Sequence, residues 1–165
     1  MEKVHYDWQQ VHEMCNTLSL MVERPDLIIA VARGGLIPAA LVANVLNVRR
    51  IYNVGIKSYL EPGLHDVPTV YQRIDNESHL WEPDTKILVI DDILDTGSTF
   101  KYLHNDLSKE KGFTDISYAT LHYKVRNDIN QYIPPNHVFV EEVYQTTWVE
   151  YAWELDEKEE ITYDQ

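Results

Sequence analysis

The sequence predicts an α/β fold, with a central, mostly parallel sheet flanked by helices. Three observations point there. Short apolar runs such as Leu27–Ala32 (LIIAVA) and Lys86–Ile90 (KILVI) read as strands buried on both faces, which have no polar side to show. Segments with apolar residues at three- and four-residue spacing lie between such runs. Turns rich in Gly, Asp and Thr follow them.

Taken in order, residues Asp7–Glu23 set Trp8, Val11, Met14, Leu18 and Met21 on one face, which predicts an amphipathic helix ending before Pro25. The LIIAVA strand closes on Arg33-Gly34-Gly35. Pro38 then suits the first turn of a helix reaching about Leu46. Arg50–Tyr59, rich in Ile, Tyr and Val, predicts a second strand. Residues 60–84 hold Pro62, Gly63, Pro68 and Pro83 and only one short strand-like piece, Thr69–Ile74, so they read as a lid-like or disordered insertion. Beyond KILVI, Ser98–Lys109 carries Phe100, Leu103 and Leu107 at helical spacing. Asp115–Leu121 and His137–Val143 supply two further strands. One domain over residues 1–156 is expected, followed by an acidic tail, 157–165.

Of the 165 residues, 44% are hydrophobic, enough for one core. No apolar run reaches the roughly 18 residues of a membrane helix, and the polar start MEKVHYDWQQ lacks a signal core, so no membrane partner and a cytoplasmic location are expected. The single Cys15 excludes an internal disulfide. A net charge of −13 repels phosphate backbones and argues against nucleic-acid partners. It leaves room for a small phosphorylated ligand at one locally inverted site.

The chemistry concentrates in Lys86–Phe100. An apolar strand runs into Asp91-Asp92, passes Ile93-Leu94 and turns through Asp95-Thr96-Gly97-Ser98-Thr99 into a helix. In parallel sheets ligands collect at the carboxyl ends of strands, and a helix N-terminus there offers free amides to an anion. Gly97 allows close approach, the Thr96, Ser98 and Thr99 hydroxyls add donors, and the two carboxylates suit a hard cation or sugar hydroxyls. An ordinary capped turn, or an acidic pocket of the response-regulator kind, would use the same residue types.

This segment resembles the signature of type I phosphoribosyltransferases: apolar strand, two acids, two apolar residues, then Asp-Thr-Gly-x-Thr. VIDDILDTGST matches at every defining position. The resemblance implies transfer of ribose 5-phosphate from phosphoribosyl pyrophosphate (PRPP) to a nitrogen base, with Mg²⁺ as cofactor. It implies that Asp91 and Asp92 meet the ribose hydroxyls with the metal, that Thr96, Gly97, Ser98 and Thr99 wrap the 5-phosphate, and that Asp95 acts as general base. Arg33 and Gly34 resemble the pyrophosphate loop, and Ser58-Tyr59 resembles the start of a flexible hood. Lys57 and Arg73 flank that region.

Lys124, Trp148 and Val149 are similar to the residues with which xanthine-guanine and hypoxanthine-guanine enzymes grip a purine: Lys on O6, the aromatic ring on one face, the next backbone at the 2-position. Ile93 would cover the other face. The family usually has Asp where this chain has Glu154, so Glu154 is expected beside Asp92 at the metal. Trp153 reads as a core or interface aromatic. The resemblance further implies a homodimer or homotetramer acting on a 6-oxopurine. Two alternatives stay open: a sister transferase for another base such as uracil, and a non-catalytic PRPP sensor on the same fold.

Overall fold

The structure, a computed structural model, describes residues 2–57, 68–74 and 81–154. Among these residues the strands form two sheets. The elements are β1 (Glu2–Tyr6), α1 (Trp8–Met21), β2 (Leu27–Ala32), α2 (Leu36–Leu46), β3 (Ile51–Lys57), β4 (Thr69–Gln72), β5 (Ile87–Leu94), α3 (Ser98–His104), a π-helical turn at Asn105–Glu110, β6 (Ile116–Val125), β7 (His137–Tyr144) and β8 (Thr147–Tyr151). The larger sheet has the order β4-β3-β2-β5-β6-β7, antiparallel only between β3 and β4. None of the described helices is long and apolar enough to cross a membrane.

Local chemistry sets the helix ends. Asp7 accepts from the Gln10 amide at 2.9 Å while the Gln10 side chain accepts from the Asp7 amide at 2.9 Å, a reciprocal cap on α1. Helix α2 starts at Leu36, two residues ahead of the expected Pro38, because the Arg33–Gly35 turn is already wound. The Leu36 amide donates to the Arg33 carbonyl at 3.1 Å and the Gly35 amide to Val31 at 2.8 Å. At its other end Asn47 takes a left-handed conformation, φ 52°, which Asn tolerates.

The central strands bury both faces, as their continuous apolar runs require. Ile28, Ala30, Leu88, Ile90, Ala119 and Leu121 pack under α1 and α2 against Val11, Leu18, Ala39 and Val42. Their neighbours Leu27, Ile29, Ile87, Val89, Ile116 and Tyr118 face Phe100, Leu103, Leu107, Phe113 and Trp81 on the opposite side. This period-two alternation holds β2 and β5 in register, Leu27 beside Ile87 and Ala30 beside Ile90. The turns that follow these two strands therefore open at the same sheet edge.

Strands β1, β8 and β5 differ from expectation. β1 and β8 form a separate parallel pair, with Val4 beside Val149 and Tyr6 beside Tyr151. By sequence the N-terminus is only polar, and Trp148 and Val149 are expected in a purine clamp rather than in a strand pair. Each strand is five residues long with one inward face, too short for a clear pattern. β5 also extends four residues beyond the predicted strand, through Asp91, Asp92, Ile93 and Leu94, because β6 pairs with it that far.

His122, fully buried on β6, joins the two sheets. Its Nδ1 lies 2.7 Å from the Tyr151 hydroxyl, which itself donates to the Asp92 carbonyl at 3.1 Å. The hydroxyl's single proton is thus committed, so Nδ1 carries the hydrogen toward Tyr151. Nε2 has no hydrogen-bond partner, and Glu141 is 3.9 Å away. Burial lowers the His122 pKa to about 4.

Gly97 has φ 80°, and a Cβ there would run into the Tyr132 carbonyl. Gly97→Ala should cost at least about 2 kcal/mol in urea unfolding, and a cost under about 0.5 kcal/mol would show that the loop yields. His122 is neutral in the fold and titrates near 6.5 when unfolded. Its contribution is therefore complete above pH 6.5 and is lost as pH falls through 4. The stability difference between wild type and His122→Gln should narrow by roughly 2–3 kcal/mol from pH 7 to pH 4. A difference independent of pH would contradict the neutral-histidine assignment.

Candidate active site

A cavity of about 1250 Å³ opens at the carboxyl ends of β2 and β5. Its wall includes Arg33, Gly34, Lys57, Tyr71, Asp91 to Gly97, Thr99, Trp153 and Glu154. The sequence-predicted leaving-group loop and the Asp-Asp turn thus share one space, while Arg73 lines a different, small cleft. Ser58 and Tyr59 lie outside the described residues.

Asp91 and Asp92 form the most unusual electrostatics. The Asp91 carboxylate accepts from the Asp92 amide at 2.9 Å, and Asp92 accepts from the Ile93 amide at 2.7 Å. Burial, then the charge of Asp92, pushes the Asp91 carboxyl well above the usual range. Asp92 is pushed up to about 6, chiefly by burial. Hydrogen bonds from Asp91 and the Ile93 amide oppose that rise, and the charge of Glu154 adds to it. The pair cannot comfortably carry two negative charges without a cation or hydroxyl donors.

Gly34 makes this arrangement possible. A Cβ at residue 34 would collide with the Asp92 carboxylate, so the loop lies directly against it. The Ala32–Arg33 peptide is cis, and Arg33 is exposed at the cavity wall. The Tyr71 hydroxyl donates to the Ala32 carbonyl at 3.1 Å from β4, bringing the insertion onto the same loop.

Downstream, Thr96 and Ser98 hydroxyls lie 2.9 Å apart, and the Ser98 amide donates to Thr96 Oγ1 at 3.2 Å. Thr96, Gly97 and Thr99 face the cavity, and Ser98 does not line it. Asp95 is engaged by two cations: Lys124 Nζ lies 3.0 Å from its Oδ2 and Arg126 Nη1 lies 2.5 Å from its Oδ1. The sequence reading had Lys124 aimed at a base; here it is held by the carboxylate expected to act as general base.

The β8 segment is divided. Val149 is buried in the core and Trp148, on the opposite face of the strand, is 48% exposed; neither lines the cavity. Trp153 does, stacked on Tyr151 at 4.5 Å with 6° between the rings and packed against the core, so the expected core aromatic also forms part of the cavity wall. Glu154 also reaches the cavity, its Oε2 accepting from the Tyr151 amide at 2.9 Å.

The described residues contain no group of three or more His, Cys, Asp or Glu side chains arranged to hold a metal. A cation here would take one or two carboxylates and complete its shell from phosphate oxygens and water, the usual arrangement for Mg²⁺. The repelling Asp91-Asp92 pair beside Glu154 fits that donor set.

Sequence reasoning missed Tyr151, His122, Arg126 and Gln131. Only Arg126 carried a signal: strand alternation sets it on the same side as Lys124.

Known proteins give the arrangement a family. The chain is 31% identical over 151 residues to the xanthine-guanine phosphoribosyltransferase of Idiomarina loihiensis, covering 90% of this chain and 84% of the relative. It is 32% identical over 152 residues to that of Chromohalobacter salexigens, covering 90% and 82%. The purine phosphoribosyltransferase of Pyrococcus horikoshii Ot3 superposes with a TM-score of 0.75 at 26% identity, over 94% of this chain and 97% of the other. The family model described as phosphoribosyl transferase domain matches residues 9–160. With that match and the shared cavity of Arg33, Asp91 and the Thr96–Thr99 turn, the chain belongs to the phosphoribosyl transferase domain family.

Proposed function

We propose that the protein transfers ribose 5-phosphate from PRPP to a 6-oxopurine, hypoxanthine, guanine or xanthine, releasing pyrophosphate. The observation that carries this reading is the half-buried Asp91-Asp92 pair sharing one cavity with Arg33 and the Thr96–Thr99 turn. Carboxylates at the diol, hydroxyls and amides at the 5-phosphate, and a guanidinium at the leaving group answer the three polar parts of PRPP. Relatives named for xanthine and guanine support the base class.

The reaction breaks the C1′–O bond to pyrophosphate and forms a bond from C1′ to a purine nitrogen. Positive charge builds on the ribose and negative charge on the leaving group. Asp91 and Asp92 orient the ribose through its hydroxyls, and Arg33 stabilises the departing pyrophosphate. Asp92 and Glu154 would hold Mg²⁺, which when bound would supply further neutralisation of that charge. Asp95, at the edge of the phosphate turn, accepts the N7 proton. An ammonium donor at Lys124 matches a 6-oxo group and would meet a 6-amino group donor to donor, which disfavours adenine. Ile93, in the cavity wall, can cover one face of the base, and we assign the half-exposed Trp148, on the strand that leads to Trp153 in that wall, to the other face, with the Val149 backbone at the 2-position edge.

Pyrophosphate release measured with PRPP, Mg²⁺ and a panel of bases should show turnover with at least one of guanine, xanthine and hypoxanthine and little with adenine or uracil. EDTA should abolish it and Mg²⁺ restore it. PRPP binding without turnover on any base would instead favour a sensor. Asp95→Asn should lower kcat by about 100-fold while the KM for PRPP stays within a few-fold. Equal loss in both would replace the general-base role with a positioning one.

A further inference from the structure

The loop between β6 and β7 is built around Asp95. Gln131 Nε2 donates to the Asp95 carbonyl at 2.5 Å and to the Lys124 carbonyl at 2.7 Å, and Tyr123 fixes its Oε1 at 2.8 Å. Arg126 is gripped on the outer side by a fork to Asp128, Nε to Oδ1 and Nη2 to Oδ2, both 2.8 Å. Its remaining arm reaches Asp95 Oδ1. The side chains of Lys124 and Arg126 are each only 11% exposed. The cluster holds two cations and two anions and is locally neutral.

The two cations on Asp95 are not equivalent. Arg126 is immobilised by a bidentate pair, whereas Lys124 is a flexible ammonium whose side chain reaches Asp95 Oδ2. Losing Lys124 alone would leave Asp95 still paired. Losing it without Arg126 would strand a partly buried carboxylate, at a cost of the order that separates a satisfied from an orphaned charge.

We propose that Arg126 is a positioning residue for this site: anchored by Asp128, it keeps Asp95 paired through Oδ1, so that the Lys124 ammonium can leave Oδ2 for the carbonyl oxygen of an incoming base. The inference rests on the transferase reading above and adds a residue to it. Without Arg126, Lys124 stays tied to Asp95, and base recognition suffers while PRPP recognition does not.

The test is steady-state kinetics on wild type, Arg126→Gln, Arg126→Lys, Lys124→Met and the Lys124→Met/Arg126→Gln double variant, with thermal melts as the folding control. Arg126→Gln should raise the KM for the base about tenfold, the effect of losing one charge-assisted contact, and leave the KM for PRPP within about twofold. Arg126→Lys should recover part of the loss. In the Lys124→Met background Arg126→Gln should add less than about twofold to the base KM, since no lysine remains to be released. An unchanged base KM in Arg126→Gln, a parallel rise in both KM values, or full additivity with Lys124→Met would overturn the assignment. A wild type inactive with every base would bring down the transferase reading, and this inference with it. An active wild type with a silent Arg126→Gln would bring down this inference alone.

Discussion

Two carboxylates held side by side at a half-buried strand end are the constraint around which the rest of the structure is arranged. Asp91 and Asp92 sit where β5 leaves the core, and burial alone would favour losing their charge. Keeping them there requires a neighbour with no side chain, which Gly34 provides by lying against the Asp92 carboxylate. It also requires a fixed backbone, which the Tyr151 hydroxyl provides at the Asp92 carbonyl. The strained electrostatics are local, and they leave an edge that a cation or a diol relieves. A protein with net charge −13 can therefore still present a site for a phosphorylated substrate.

The small sheet serves the same end. β1 and β8 bring Tyr151 over His122, and the segment after β8 carries Trp153 and Glu154 into the cavity wall. His122, Tyr151 and the Asp92 carbonyl form one chain of hydrogen bonds from β6 through β8 to β5. The position of Glu154 thus depends on the pairing of β8 with β1, a strand from the opposite end of the sequence. A second anchor comes from the β6–β7 loop, where Arg126 and Gln131 hold the side chain and carbonyl of Asp95, and the Tyr132 amide donates to the Thr96 carbonyl at 3.0 Å.

Much of the architecture was legible in the residues because it is written locally. LIIAVA became β2 at the bounds its apolar run implied, and the Gly-Ser-Thr turn after VIDDILD opened a helix at Ser98. Asp7 before an amphipathic run marked the start of α1. The Asp-Asp and Asp-Thr-Gly-Ser-Thr signature pointed to the family because its chemistry needs contiguous residues on one strand and one turn.

Partnerships between distant side chains were not legible. The sequence by itself determined where the buried strands lie, which turn can approach an anion, and that Lys124 and Asp95 are charged residues near strand ends. Tertiary structure alone decided that these two meet 29 positions apart, that Arg126 joins them, and that Tyr151 reaches Asp92 across 59 positions. The physical reason is that strand order and register set those encounters. The order β2-β5-β6 places β6 beside β5, and no local pattern of hydrophobic and polar residues encodes which strand becomes the neighbour of which.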